Sequence, residues 1–201
     1  LAAARVPQPP GVREMKGEVR INRRPARIGQ LVQPGDTVTT GQASQAVIII
    51  GSDACLLRAN TELVVRGRQE SRGPGGALRE MVIEALQVTR GALLSVFGKG
   101  RKRVDTPTAT LGIRGTGLYV EIENDRDYIC TCYGAVEIVS RHDKGVSEVV
   151  RTKHHDMPRY VTGGGAPAIG KAPMKNHTDA ELVMLEPLVG RVPPLDPNDP
   201  Y

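Results

Sequence analysis

Val104-Asp105-Thr106-Pro107-Thr108-Ala109-Thr110-Leu111-Gly112-Ile113-Arg114-Gly115-Thr116-Gly117-Leu118-Tyr119-Val120-Glu121-Ile122 is the stretch on which the fold turns. Thr106, Thr108 and Thr110 alternate before its middle, and Leu118, Val120 and Ile122 alternate after it. Both halves have the period of a strand, whose successive side chains point to opposite faces. Gly112, Gly115 and Gly117 lie between them, where the chain must bend or another backbone comes close. The stretch therefore predicts two strands meeting at a structural turn made by Gly112, Arg114, Gly115, Thr116 and Gly117. The glycines have a superficial likeness to a phosphate-binding loop. They lack the Lys-Ser/Thr pair of a Walker motif and the strand–helix setting of a dinucleotide fold.

The same pattern recurs outward. Glu18-Val19-Arg20-Ile21 alternates, and Ala46-Val47-Ile48-Ile49-Ile50 reads as a strand buried on both faces. Ala54 to Arg58, Glu62 to Val65, Leu93 to Phe97, Tyr128 to Tyr133 and Val136 to Val139 complete the set, with Met81 to Val88, which fits strand or helix by pattern but is favoured as strand by its β-branched residues and the Arg90-Gly91 stop. Residues 67–77, with four glycines, a proline and several charges, read as an exposed loop. Short strands punctuated every 8–12 residues indicate an all-β fold, either a wrapped, mainly antiparallel sandwich or a solenoid-like module. No strict repeat supports a regular solenoid.

Composition sets limits on the 201-residue chain. Its hydrophobic share is 39%, with one Phe, five Tyr and no Trp, so the core must be aliphatic. Scarce aromatics argue against single-stranded nucleic-acid and RNA modules, which stack bases on such rings, and against sugar-stacking platforms. The net charge of +5 is a mild excess, concentrated at Arg20, Arg23, Arg24 and Arg27 and at Lys99, Arg101, Lys102 and Arg103. No apolar run reaches the ~20 residues of a membrane helix, so the chain is expected not to span a membrane. Leu1-Ala2-Ala3-Ala4 has the look of the small-residue end of a secretory signal.

Three segments are expected. Residues 1–11 form an extended leader or signal remnant, 12–140 the β domain, and 141–201 a C-terminal extension. Thr178-Asp179-Ala180-Glu181 is a capping box, so one short helix is predicted near 179–186, with Pro187 ending or kinking it. Leu182, Leu185 and Val189 share one face of that helix and are the candidate interaction residues. The proline-rich stretch 193–201 reads as an extended arm.

From Gly17 to Val139 the ordered turns resemble the FecR-like domain of exported bacterial proteins. The resemblance rests on Gly17-Glu18-Val19-Arg20-Ile21-Asn22, Gly35-Asp36-Thr37-Val38-Thr39-Thr40-Gly41, Asn60-Thr61-Glu62-Leu63, Gly91-Ala92-Leu93, Thr106-Pro107 and Gly112-Ile113-Arg114-Gly115-Thr116. It implies a wrapped β module in the periplasm or beyond. Family members include transmembrane regulators of iron-uptake sigma factors. This chain shows no membrane helix and no recognisable anti-sigma segment, so the resemblance carries fold and compartment, not iron signalling.

The chemistry-bearing residues are few. Cys130-Thr131-Cys132 places two thiols on one face of a strand, roughly 7 Å apart along it. With His154 and His155, or with His177, they would suit zinc or copper. Three readings stay open: a metal site, a disulfide joining Cys55 to Cys130 or Cys132, or buried free thiols. Ser44, Ser95 and Ser140 lack a nucleophile-elbow setting, so no catalytic residue is assigned. The expectation is a non-catalytic exported module that binds a protein partner or copies of itself. The alternative is a metal-binding or redox accessory protein.

Overall fold

A computed structural model describes residues 6–72, 78–164 and 168–195; at 69, 71, 72 and 78–81 only the backbone is described. The fold is all-β with one short helix. Its strands are β1 (Gly11–Lys16), β2 (Val19–Ile21), β3 (Arg24–Pro25), β4 (Thr37–Thr40), β5 (Gln45–Ile50), β6 (Asp53–Leu57) and β7 (Glu62–Arg72). Then follow β8 (Leu78–Val96), β9 (Arg101–Asp105), β10 (Ala109–Ile122), β11 (Arg126–Ser140), β12 (Ser147–Thr152), β13 (Arg159–Thr162) and β14 (Ile169–Lys171). The helix α1 spans Asp179–Leu188.

Three long strands change partners part-way and fold the hydrogen-bonded network into two layers. In β8, residues up to Arg90 pair with β7, whereas Gly91–Val96 lie between β6 and β10. In β10, Thr110–Arg114 pair with β9 and Gly117–Ile122 with β8. In β11, residues 126–129 carry β13 and residues 134–139 carry β12. One layer therefore runs β1-β5-β6-β8-β10-β11-β13-β14, and the other β3-β2-β4-β7-β8-β9-β10-β11-β12. All pairings are antiparallel except the short β8–β9 contact. Between the layers sits an aliphatic core that includes Ile48, Leu57, Leu63, Leu93, Leu111, Leu118, Val136 and Ile138.

The bends fall where the sequence holds glycine. Gly91, Gly115 and Gly134 have φ of +76°, +55° and +90°, a region that side chains with a Cβ occupy at a cost. The glycine stretch at 112–117 is thus a bulge inside one 14-residue strand rather than a turn between two. A bulge lets the strand switch layers without interrupting its ladder to β11. Tyr128–Tyr133 and Val136–Val139 are likewise one strand, bent at Gly134. Residues 67–72 belong to β7, paired with β8, and are not loop; 73–77 lie outside the described residues.

The boundary at 140 is not where the core ends. Residues beyond it supply β12, β13 and β14, and Val150 and Val161 are fully buried in the main core. The reason is that β11 would otherwise expose a long edge. Helix α1 begins as its capping box requires, with the Thr178 backbone N–H donating to Glu181 Oε2 at 3.0 Å. Pro187 sits in its last turn, and the helix stops at Gly190, whose φ is +74°. Leu182 and Leu185 are buried and Val189 half-buried against the outer face of the first layer, with Leu56, Leu94, Val96 and Tyr119. The three candidate interaction residues thus pack on their own domain. No helix among the described residues is long and apolar enough to cross a membrane.

Candidate functional site

The outer face of the first layer carries the cysteines. Strand alternation turns Cys130 and Cys132 outward and Thr131 inward, and all three are buried. The segment after β12 returns over this face. At its turn His155 adopts φ +48°, and its backbone N–H donates to Cys132 O at 2.9 Å. Further on, residues 172–178 lead into α1 and place His177 flat on Tyr119, with ring centroids 4.4 Å apart.

Four donors converge as a result. Cys130 Sγ lies 3.5 Å from His155 Nδ1, and His155 Nδ1 lies 3.1 Å from His177 Nε2. With Cys132 Sγ, all four donor atoms fall within 4.8 Å of one another. Each imidazole uses its far nitrogen elsewhere. His155 Nε2 meets Asp179 Oδ1 at 2.9 Å, and His177 Nδ1 donates to Lys175 O at 2.8 Å. Asp179 stands in the first turn of α1, where the helix dipole favours a carboxylate.

Electrostatics separate the two thiols. A hydrogen bond from Cys132 draws the Cys130 thiol down to about 4 against the opposing effect of burial, with His155 and His177 assisting. Burial and its neighbour Cys130 push Cys132 well above the ordinary thiol range. Burial disfavours a charged His155, yet Cys130 and Asp179 together raise its pKa.

His154, expected among the ligands with His155, stands one layer out. Its Nε2 meets Asp179 Oδ2 at 2.7 Å and does not face the thiols; His177 takes the fourth place. Cys55 projects into the main core, where its Sγ lies 3.1 Å from Ser95 Oγ, and burial pushes its thiol up to about 12. It occupies the opposite face of the layer, three strands from β11, or about 14 Å at 4.8 Å per strand. A disulfide needs Cα atoms within about 7 Å, so neither Cys130 nor Cys132 can pair with it, and all three cysteines are free.

A second feature lies on the outer face of the other layer. Arg101 is paired with Arg114, Arg114 with Ala135, and Ala135 with Arg151. Residues paired across strands share a face, so three exposed arginines stand in one row over β9, β10 and β12. With Arg103 and the carboxylate of Glu137 they line a depression of about 710 Å³ that also takes in Gly112 and Ala135. Among the described residues none of the three makes an ion pair, while neighbouring Arg103 is bound to Asp105 at 3.0 Å. The sequence marked the Lys99–Arg103 cluster and Arg114 but not Arg151, because only the strand register aligns them.

Against known proteins, no family model and no curated protein matches the chain. Two crystal structures from Parabacteroides distasonis ATCC 8503, each provisionally described as an anti-sigma factor, are similar to it. One is 13% identical, covers 73% of this chain with 64% of its own, and has a TM-score of 0.51. The other is 14% identical over 69% of this chain and 60% of its own, with a TM-score of 0.49. The chain thus spans somewhat under two thirds of their lengths, and the first likeness establishes a shared fold.

Proposed function

We propose that this chain is a non-catalytic, FecR-like interaction module of the bacterial periplasm or cell exterior, and that it captures an extended acidic segment of a protein partner. The compartment and the family rest on the ordered turns from Gly17 to Val139. The non-catalytic reading is supported by the burial of Cys130 and Cys132, which no substrate reaches.

The arginine row carries the reading of the partner. Like charges directly opposite one another on a sheet are destabilising, so Arg101 beside Arg114 costs folding free energy that a bound anion would recover. The row ends at β12, which among the described residues pairs only with β11 and so offers its other edge to an added strand. Arg151 and the exposed Val149 alternate on the outer face of β12. An added strand would therefore present a carboxylate beside Arg151 and an apolar side chain beside Val149.

The test is a fluorescein-labelled peptide of repeated Glu-Thr-Val-Thr, which in a strand sets Glu and Val in turn along one face, titrated against the full chain. Binding should fall about tenfold or more in the Arg114→Glu, Arg151→Glu variant. Amide exchange over residues 147–152 should slow on binding. Equal affinity for the reversed-charge variant would refute the reading. Tighter binding of a sulfated polysaccharide would replace the peptide with a polyanion, and unchanged exchange at β12 would remove the added strand.

A further inference from the structure

We infer that Cys130, Cys132, His155 and His177 form a closed four-coordinate zinc centre that fastens the C-terminal arm to the β-sheet. This is independent of the acidic-partner reading, since it concerns the opposite layer.

Two donor separations match tetrahedral edges, and all four donors lie within 4.8 Å of one another. With Zn–S near 2.3 Å and Zn–N near 2.0–2.1 Å, a tetrahedral centre has S···N edges of about 3.5–3.6 Å and an N···N edge of about 3.3 Å. The corresponding separations are 3.5 Å for Cys130 Sγ to His155 Nδ1 and 3.1 Å between His155 Nδ1 and His177 Nε2.

The proton positions point the same way. Asp179 and the Lys175 carbonyl can only accept, so they hold protons on His155 Nε2 and His177 Nδ1. In the neutral rings the lone pairs then lie on His155 Nδ1 and His177 Nε2, which face each other. Two lone pairs at that distance repel unless a proton or a metal ion lies between them. An outer partner that fixes each ligating imidazole is the usual surrounding of a histidine-bound zinc.

Burial assigns the role. Both cysteines are fully buried, and His155 and His177 are 1% and 5% exposed, so no coordination position opens to solvent or substrate. A filled sulfur–nitrogen tetrahedron is structural, and it disfavours magnesium and calcium, which take oxygen ligands. The four ligands come from β11, from the turn after β12 and from the segment leading into α1. One ion would thus tie the sheet, the turn and the arm together.

Cobalt(II) is the probe. Reduced, metal-free full chain is titrated with cobalt(II) and then with zinc. One cobalt per chain with the strong visible bands of a tetrahedral site and thiolate charge-transfer absorption is expected, followed by stoichiometric loss of colour as zinc displaces it. Cys132→Ser and His177→Ala should each abolish this spectrum, whereas Cys55→Ser and His154→Ala should retain it. The wild-type spectrum alone tests the geometry, whether or not a variant folds. A colourless protein, a weak octahedral spectrum, or full binding by Cys132→Ser would overturn the assignment. A metal-free protein with a cysteine–histidine ion pair would give the first of these. Protein isolated with copper from medium supplying both metals would overturn the choice of zinc.

Discussion

Replacing Leu185 by alanine tests whether the C-terminal helix belongs to the folded core. Leu185 is fully buried, and α1 lies on β6 and β8 through the cluster that also holds Leu56, Leu94 and Val96. Truncating a buried leucine removes its transfer free energy and leaves a cavity, together about 2–5 kcal/mol. For a chain of 201 residues each kcal/mol moves the melting temperature by about 2–4 °C, so the midpoint should drop by roughly 4–20 °C. The control is Val183→Ala on the exposed side of the same helix, where the side chain is 49% exposed. That change removes little packing and slightly improves helix propensity, so stability should stay within about 0.5 kcal/mol. Urea and thermal unfolding, followed by strand circular dichroism, measure both. If the two variants unfold together, Leu185 is not packed and the arm is an appendage. If Leu185→Ala loses helix signal in a separate early transition, the arm docks but does not share the cooperative unit.

Other outcomes follow from single sites. Gly115→Asn should be nearly neutral and Gly115→Val should cost several times RT in thermal unfolding, since φ +55° tolerates Asn but strains a β-branched residue. Gly117→Val should be worse, because its Cβ would sit 2.5 Å from the Tyr133 ring; equal stability of the Gly115 and Gly117 valine variants would contradict this. Arg159 hydrogen-bonds Glu148 and depresses its pKa, so the pair's stabilisation is present above the unfolded value and lost as pH falls through the folded one. The stability difference between wild type and Glu148→Gln should therefore hold near neutrality and shrink below about pH 4.5; a difference flat across that range would refute the coupling. In a Cys130→Ser, Cys132→Ser background, Cys55 should react with a thiol reagent at the rate of global unfolding, and fast labelling of the native state would show that its burial is wrong.

The fold class was legible because strand periodicity survives without tertiary knowledge. The run at 46–50 reads as doubly buried, and β5 has five successive buried residues. The capping box likewise placed α1 to within two residues. What sequence could not supply is continuity through a bend. Alternation breaks at Gly112–Gly117 and at Gly134, so each long strand read as two, although the backbone hydrogen bonds run on past the bulge. Half of the Cys/His cluster was visible in Cys130-x-Cys132, whose shared face is local geometry. His155 stood in the expected set, but with His154 beside it: both rings reach Asp179, and it is His155, at its positive φ, whose other nitrogen turns to Cys130. His177 lies 45 positions after Cys132, and the path of the arm and the Tyr119 ring bring it there.

The two outer faces explain why the arm needs more than hydrophobic contact. The first layer shows Val47, Ile49, Leu56, Leu94 and Val96 outward, an apolar surface that cannot be left in water. Yet α1 contributes only two fully buried leucines, and a ten-residue helix is marginal alone. Polar anchors supply the rest. Arg58 reaches Asn176 O at 2.7 Å and Glu181 Oε2 at 2.9 Å, Asn176 donates to Glu121, and Lys175 pairs with Glu123 and covers the Tyr128 ring. Tyr133 donates to Glu186 at the far end of the helix, and Arg191 closes on the same carboxylate. The partly exposed ion pairs among these each contribute little, whereas Tyr133 and Glu186 are buried; all depend on the arm already being in place. The Cys–His cluster sits among them, at the point where the arm first crosses β11. An ion there would hold the arm at the one position from which the remaining pairs can form. The proposed partner site lies on the other layer, where among the described residues Arg101, Arg114 and Arg151 make no ion pair and β12 pairs with β11 alone.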